Sequence, residues 1–313
     1  LGALGGIDDL GLDGEAGLRG APLIPWIQVA VERAGPKASP ELAPHIHAAI
    51  LEDARRATLP AVSTARDPHD PTDERLLDVR TTVQLAFAPD QSKVALALHA
   101  TVADVGSHPP SDLYLVDLAS DSPVQITSGA WSDGSPTWSP DGSRLAIVSD
   151  RITPGHQLPY TMALGAEPVL AANLHGSTEA VSWSSTGDRL LVLAADPGCY
   201  GLDWSARAVR GADPSPDPSV IRPGEASRRL FEIDLGSGDV AEVGPPGMSV
   251  WEFDGDPDDV VVALVSEDPS TAGWYRSVLA RLDLAERTAE TLYRPIWSLE
   301  GLALSPDGRR AAV

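Results

Sequence analysis

The chain of 313 residues contains a single cysteine, Cys199, so it cannot form an internal disulfide. It also lacks any run approaching the ~18 consecutive apolar residues that a membrane-spanning helix requires. A formal net charge of −22 would repel a phosphate backbone. We therefore expect no disulfide framework, no membrane partner and no nucleic-acid partner, and the lone thiol favours a cytoplasmic location.

The motifs of covalent catalysis are missing as well. A nucleophile elbow, Gly-x-Ser-x-Gly, occurs nowhere between Leu1 and Val313. Cys199 has no histidine beside it in sequence, and we interpret it as a loop thiol without a chemical role. The sequence thus assigns no catalytic residue and no cofactor to this chain.

Two short motifs look like metal sites but do not fit one. His45 and His47 lie two positions apart on a predicted helix, where their side chains point to different sides. The acidic run Asp254–Asp259 starts like a calcium loop, but Asp259 stands where that loop needs glycine and Val265 where it needs glutamate. We interpret this run as an acidic β-turn and predict no metal site.

What the sequence does contain is a repeat. The stretch WSDGSPTWSPDGSRLAIVSDR, Trp131–Arg151, returns at a constant offset as WSLEGLALSPDGRRAAV, Trp297–Val313. Fainter copies occupy 85–100, 181–196 and 250–268. Self-similarity at long period is typical of modular arrays.

Each copy has an aromatic or apolar residue shortly before its turn. These markers are Phe87, Trp138, Trp183, Phe253 and Leu304. Three of the four steps between them are similar, and the longer step contains Asp196–Arg228, which is rich in Pro and Gly. We expect this insertion to leave the repeating unit at a rim, where Tyr200 and Trp204 are candidate substrate-chamber contacts; loop packing is their alternative role.

The repeating unit is predicted to be β-structure. Ser-Pro-Asp-Gly supplies the backbone angles of a tight turn, and the apolar run after it is typical of a strand buried on both faces. A second hairpin follows, as in LYLVDLASDSPVQITS from Leu113. Four strands per ~45–50 residues is the size of a β-propeller blade. The predicted class is all-β, a β-propeller of four-stranded blades with about five blades visible.

Two segments are distinguished on this basis. Residues 1–78 are predicted to be a mobile, helical appendage, with one helix over Ser39–Ala57, and residues 79–313 to be the propeller. Because the final copy stops within its second strand, we expect the chain to be a fragment of a longer protein.

The stretch SPTWSPDGSRLAIVSDR, together with strands of the LYLVDL type, resembles the N-terminal propeller of the prolyl oligopeptidase family of serine peptidases. The resemblance is to its acylaminoacyl-peptidase and dipeptidyl-aminopeptidase-like branch, and it extends over 79–313. It implies a propeller that admits small peptides to a C-terminal α/β-hydrolase domain carrying a Ser-Asp-His triad. That domain is not part of this chain.

Two functions remain open at this point. The chain is either the gating, substrate-selecting propeller of a serine peptidase acting on short or N-blocked peptides, or a non-catalytic TolB-like propeller that serves as a protein-interaction scaffold. The predicted N-terminal helix favours the first, because that family often has a segment before the propeller. A Gly-x-Ser-x-Gly motif beyond Val313 would decide for the peptidase.

Overall fold

A computed structural model describes residues 80–100, 110–120, 122–197, 199, 226–305 and 307–313. The predicted appendage, its helix and the two histidines on it lie outside these ranges. The described part is nearly all strand, with one short helix, α1 (Thr271–Trp274). None of its helices is long and apolar enough to cross a bilayer.

Four sheets contain four antiparallel strands each, and a fifth contains two. Blade A comprises β1 (Arg80–Phe87), β2 (Lys93–Ala100), β3 (Ser111–Asp117) and β4 (Ser122–Gln125). Blade B comprises β5 (Asp133–Trp138), β6 (Arg144–Thr153), β7 (His156–Ala163) and β8 (Val169–Leu170). Blade C comprises β9 (Ser177–Trp183), β10 (Arg189–Ala195), β11 (Arg228–Asp234) and β12 (Val240–Glu242). Blade D comprises β13 (Ser249–Gly255), β14 (Val261–Ser266), β15 (Val278–Asp283) and β16 (Thr288–Tyr293), and blade E comprises β17 (Ala303–Leu304) and β18 (Ala311–Ala312).

The strands of each blade pair in chain order, and the first strand of each blade contacts strands of the blade before it. Strand β1 contacts β5, β5 contacts β9, and β13 contacts β17. This is the arrangement of a β-propeller, so the predicted fold class is confirmed. The predicted insertion connects β10 to β11, between the second and third strands of blade C.

Alternating strand direction gives the propeller two different faces. All turns between first and second strands lie on one side, which we call the turn face. The hairpins between second and third strands, and the connections from blade to blade, lie on the other side, which we call the loop face. The insertion therefore starts and ends on the loop face.

Apolar side chains fill the spaces between the blades. In strand β6, four consecutive residues are buried: Leu145, Ala146, Ile147 and Val148. Because consecutive side chains of a strand point to opposite faces of its sheet, both faces of blade B are covered here by neighbouring blades. One cluster joins blades A, B and C, a second joins C and D, and a third joins D and E.

The turn of the repeat has the same hydrogen bonds in several blades. In blade B, Ser139 N donates to Arg144 O (2.9 Å), and Arg144 N donates back to Ser139 Oγ (2.9 Å). The Ser139 hydroxyl also donates to Asp141 Oδ1 (2.6 Å). Gly142 has a φ of 70°, a conformation that favours glycine. Ser305 and Asp307 repeat this geometry in blade E.

Blade D departs from the pattern by one residue. Asp256 N donates to Val260 O (2.9 Å), which closes a shorter hairpin, and Asp259 N donates to Asp256 O (3.0 Å), which confirms that the acidic run forms a β-turn. Strand β13 consequently ends at Gly255. Four of the five markers end a first strand as predicted, but Phe253 lies two residues too early.

The tryptophan markers connect neighbouring first strands. Trp138 Nε1 donates to Ala86 O in blade A (2.9 Å), and Trp183 Nε1 donates to Thr137 O in blade B (3.1 Å). The indole N–H thus satisfies a backbone carbonyl of the preceding blade, while its ring lies in the apolar space between blades.

Side chains make a comparable contact closer to the loop face. Gln84 accepts a hydrogen bond from Ser135 N of the next blade. At the equivalent position of blade D, Glu252 accepts from Gly301 N (3.0 Å) and Leu302 N (2.9 Å) of blade E. At the A/B, B/C and D/E interfaces, the first strand of one blade is therefore positioned by the first strand of the blade before it.

Trp183→Phe should lower the free energy of unfolding by about 1–3 kcal/mol, because it removes the hydrogen bond to Thr137 and part of a buried ring. Trp297→Phe is the matched control, since Trp297 is 66% exposed, and should change it by less than about 0.5 kcal/mol. Urea unfolding of both variants measures this. Equal effects would contradict a role for the indole bond.

Hydrogen bonds from Ser139 and Ser143 lower the pKa of Asp141 from 3.8 to about 2. A carboxyl whose pKa is lowered in the folded state stabilises the fold at pH values above its ordinary pKa of 3.8. That stabilisation is lost as the pH falls from 3.8 towards 2. Asp141→Asn should therefore flatten the decline in stability between these pH values relative to the unsubstituted chain. Urea unfolding at a series of pH values would show it; parallel curves would count against the turn bonds.

Candidate functional site

Polar side chains are buried where strands meet the loop face. Five strands begin there with a buried polar residue: Ser111, Asp133, Ser177, Arg228 and Ser249. The hydroxyls satisfy backbone groups of neighbouring strands: Ser111 Oγ donates to Asp133 O (2.7 Å), and Ser249 Oγ accepts from Arg228 N (3.0 Å). Buried backbone groups require such partners, and these hydroxyls supply them.

Blade B places an ion pair at this face. Asp133 is fully buried, and Arg151 binds it in bidentate fashion through Nε (3.1 Å) and NH2 (2.6 Å). Ser149 Oγ donates a third hydrogen bond to Asp133 Oδ1 (2.6 Å). The Arg151 guanidinium also lies 6.0 Å from the ring centre of Trp131. These three hydrogen bonds offset the desolvation penalty of burying the Asp133 carboxylate.

Blade C has a second pair with the same design. Arg228 is 1% exposed and binds Glu179 through Nε (2.7 Å) and NH2 (3.1 Å). Its guanidinium lies 4.7 Å above the ring of Trp251 in blade D. Glu179 occupies a β-bulge of β9, which re-aims its side chain. This pair links blade C to blade D.

Tyr160 is the third unusual group of this region. Its hydroxyl is buried and has no hydrogen-bond partner among the described residues. Burial raises the pKa of Tyr160, and the negative charges of Asp133 and Asp150 raise it further, against the opposing effect of Arg151. The phenol is therefore neutral at physiological pH and is not poised to act as a base.

Aromatic exposure is concentrated on the same face. The four exposed aromatic side chains of the described ranges are Trp131, Tyr275, Tyr293 and Trp297. Each lies in a hairpin between second and third strands, in a connection between blades, or at the last residue of a fourth strand. Ile152 and Ile296, which are also exposed, lie on this face too. The turn face carries none of these aromatic residues.

A surface pocket of about 250 Å³ opens between blades C and D at the loop face. Pro245, Pro246 and Met248 give it apolar walls, and Arg229 and Glu242 give it polar ones. Arg229 is held by Asp196 (2.9 Å) and Glu242 (3.4 Å). Polar atoms contribute more of its lining than apolar atoms, so it is a polar surface groove.

The residues singled out from sequence have different outcomes. Tyr200 and Trp204 lie outside the described residues, so their role as chamber contacts stays a prediction. Burial raises the pKa of the Cys199 thiol, which keeps it protonated and agrees with a loop thiol without chemical role. Among the described residues, no group of three or more His, Cys, Asp and Glu side chains could hold a metal ion.

Sequence reasoning missed both ion pairs. Asp133 and Arg151 are far enough apart in sequence that only the pairing of β5 with β6 brings them together. No local signal pointed to either pair, because β5 (DGSPTW) and β11 (RRLFEID) contain several polar or charged residues besides Asp133 and Arg228.

No protein-family model matches the chain, and no curated protein matches it. Among solved structures it is similar to a puromycin-hydrolyzing peptidase of Mycobacterium tuberculosis, with 17% identity, a TM-score of 0.48, and 72% of this chain and 30% of that chain covered. It is similar to the acylaminoacyl peptidase of Pyrococcus horikoshii, with 14% identity, a TM-score of 0.47, and 74% and 34% covered. It is similar to a putative TolB from Agrobacterium tumefaciens, with 16% identity, a TM-score of 0.48, and 72% and 70% covered.

These neighbours include prolyl oligopeptidase-family peptidases and a TolB propeller, the two groups that the blade motif resembles. The chain spans about a third of the length of the two peptidases. The assignment of the fold rests on the four-stranded sheets themselves, and no activity is carried over from these proteins.

Asp133→Asn should lower the free energy of unfolding by about 3 kcal/mol, because it leaves Arg151 without its counter-charge in a largely buried place. Asp268→Asn is the matched control. Its partner Arg276 is 70% exposed, so the cost should stay below about 1 kcal/mol. Urea unfolding distinguishes the two, and similar losses would mean that Asp133 is not held in a buried pair.

Proposed function

We propose that this chain is the gating and substrate-selecting propeller of a serine peptidase of the prolyl oligopeptidase family, which acts on short or N-blocked peptides in the cytoplasm. An α/β-hydrolase domain would supply the Ser-Asp-His triad and would pack on the loop face. The observation that carries this proposal is the concentration of exposed aromatic side chains on that face.

Exposed aromatic residues indicate a contact surface. Tryptophan and tyrosine are enriched in protein interfaces, where their rings are buried and their polar atoms find partners. Trp297 and Ile296 are 66% and 87% exposed, which would be costly for a surface that always faces water. A folded domain resting on the loop face would cover them.

The polar layer beneath these aromatics suits a fixed contact. The Asp133–Arg151 and Glu179–Arg228 pairs are already satisfied within the propeller, so they would not compete for a partner's groups. The insertion leaves and re-enters the propeller on this side. Tyr200 and Trp204 could therefore border a chamber between the two domains and contact the peptide.

The alternative is a TolB-like propeller that serves as a scaffold. The same aromatic face would then contact a separate protein, and no serine nucleophile would act in the intact product. The two functions differ in whether the full product of the gene contains an activated serine, which the propeller alone does not reveal.

A fluorophosphonate probe for activated serines tests the proposal. The 313-residue chain should not be labelled, because it contains no nucleophile elbow. The full product of the gene should be labelled, and heat denaturation before the reaction should abolish labelling. Labelling of the short chain, or no labelling of a folded full product, would contradict the peptidase function.

Interface variants test where the hydrolase domain packs. Trp297→Ser in the full product should weaken cohesion of the two domains, because an interface tryptophan commonly contributes 2 kcal/mol or more. Limited proteolysis between the domains would then be faster. Val169→Ser is the matched control, because Val169 is 65% exposed but lies in β8 at the outer edge of blade B. If both variants are cleaved at the rate of the unsubstituted protein, the loop face is not the docking surface.

A further inference from the structure

Blades B and C are joined at the turn face by an arginine. The Arg144 guanidinium lies 4.7 Å from the ring centre of Trp183, the last residue of β9. Its NH2 donates a hydrogen bond to the carbonyl of Gly187 in the turn of blade C. Pro140 approaches the same glycine from the turn of blade B: a Cβ on Gly187 would lie 3.5 Å from Pro140 Cδ and 3.6 Å from Arg144 NH2.

Blades A and B repeat this arrangement without the arginine. Trp138 ends β5 as Trp183 ends β9, and Gly142 lies in the turn as Gly187 does. Pro89 Cδ approaches Gly142 at the same distance, 3.5 Å from where its Cβ would be. Lys93 takes the place of Arg144, since Ala88 N donates to Lys93 O as Ser139 N donates to Arg144 O.

The lysine does not make the contacts that the arginine makes. Its Nζ lies 3.5 Å from Ser92 Oγ in its own turn. The space around the Gly142 Cβ position contains Pro89 but no atom of Lys93 within 4 Å. A pocket of about 380 Å³ opens here, and Lys93, Trp138, Pro140, Asp141 and Gly142 are among the residues that line it.

Charged side chains line the pocket. These are the carboxylates of Asp90 and Asp141 and the ammonium group of Lys93, and the charge of Arg144 also acts on Asp141. Hydrogen bonds from Ser92 lower the pKa of Asp90, and those from Ser139 and Ser143 lower the pKa of Asp141 to about 2. Both carboxylates are therefore ionised at neutral pH and can attract a cation.

We propose that this pocket binds the guanidinium group of an arginine side chain on a partner protein. The guanidinium would stack on Trp138 and donate to the Gly142 carbonyl, as Arg144 does at Trp183 and Gly187. Two interfaces of this molecule have the same tryptophan and glycine, Trp138 with Gly142 and Trp183 with Gly187. Only the second has an arginine, Arg144, in contact with them.

Arginine fits better than lysine for a physical reason. A planar guanidinium can lie flat on an indole ring and still direct N–H groups at a carbonyl and a carboxylate, whereas an ammonium group is a compact, strongly hydrated point charge. The chain's net charge of −22 would attract a basic segment of a partner. The pocket is on the turn face, so its function does not depend on the loop-face proposal.

The test uses two blocked tripeptides, acetyl-Gly-Arg-Gly-amide and acetyl-Gly-Lys-Gly-amide, as probes of the side chain alone. Isothermal titration calorimetry gives affinity and stoichiometry, and the indole N–H signals of the ¹⁵N-labelled chain show which tryptophan is contacted. We expect one site for the arginine peptide, a shift of the Trp138 signal, and binding of the lysine peptide that is weaker by about tenfold.

Lys93→Arg should fill the pocket from within and weaken binding of the arginine peptide by about tenfold or more. Lys93→Met is the matched control: it removes the ammonium group without supplying a guanidinium, so binding should be kept or strengthened. Arg144→Lys should convert the B/C interface to the A/B arrangement, raise the stoichiometry from one to two, and shift the Trp183 signal as well.

Three results would overturn the proposal. These are equal binding of the two peptides, binding by Lys93→Arg as tight as by the unsubstituted chain, and no saturable binding by the folded chain. If Lys93→Arg does not fold, the gain of a second site in Arg144→Lys decides, and its absence in a folded variant counts against the pocket. Loss of the loop-face function would leave all these outcomes unchanged.

Discussion

The hydrogen bond from an indole N–H to a backbone carbonyl of the preceding blade is the contact on which the B/C and A/B interfaces depend. It fixes how far apart two first strands lie, because the ring must reach across while remaining between two apolar sheets. Once that spacing is set, the neighbouring turns meet through Pro140 and Gly187, and the face of Trp183 is presented to Arg144. The turn contacts are thus consequences of the blade spacing.

The two faces of the propeller solve different problems. At the turn face, Ser139 and Asp141 bind the same short loop that contains them, while Arg144 reaches the Gly187 carbonyl in the turn of the next blade. At the loop face, longer connections enter from neighbouring blades, so hydroxyls and ion pairs must satisfy groups that are distant in sequence. Arg228, for example, binds Glu179 in its own blade and stacks on Trp251 in the next. Long connections and exposed aromatics therefore share one face, while short turns occupy the other.

The fold could be predicted because its turn chemistry is local. Ser139, Pro140, Asp141 and Gly142 specify a turn without help from the rest of the chain, and the apolar strand after it shows burial on both faces. The error at Phe253 has a physical cause: the turn of blade D is closed by Asp256 and Val260, so the strand continues through Asp254 and Gly255, two residues beyond the aromatic residue. The predicted appendage and the substrate contacts Tyr200 and Trp204 are not decided by the described residues.

The ion pairs could not be predicted, because nothing local distinguishes Asp133 from the many exposed aspartates of this acidic chain. Its burial results from the approach of Ser149 and Arg151 across a strand pair. The candidate guanidinium site depends even more on three-dimensional structure, since Lys93 is unremarkable by itself. Its significance depends on its position, which at the A/B interface is equivalent to that of Arg144 at the B/C interface.

Equivalent interfaces in a repeat protein can be compared with one another. Where two interfaces have the same tryptophan, proline and glycine, a difference at one further position isolates what that position contributes. The arginine at the B/C interface satisfies a carbonyl and lies over an indole ring. The lysine at the A/B interface contacts Ser92 in its own turn instead. The chemistry of the B/C interface therefore indicates which group a partner would supply at the A/B interface.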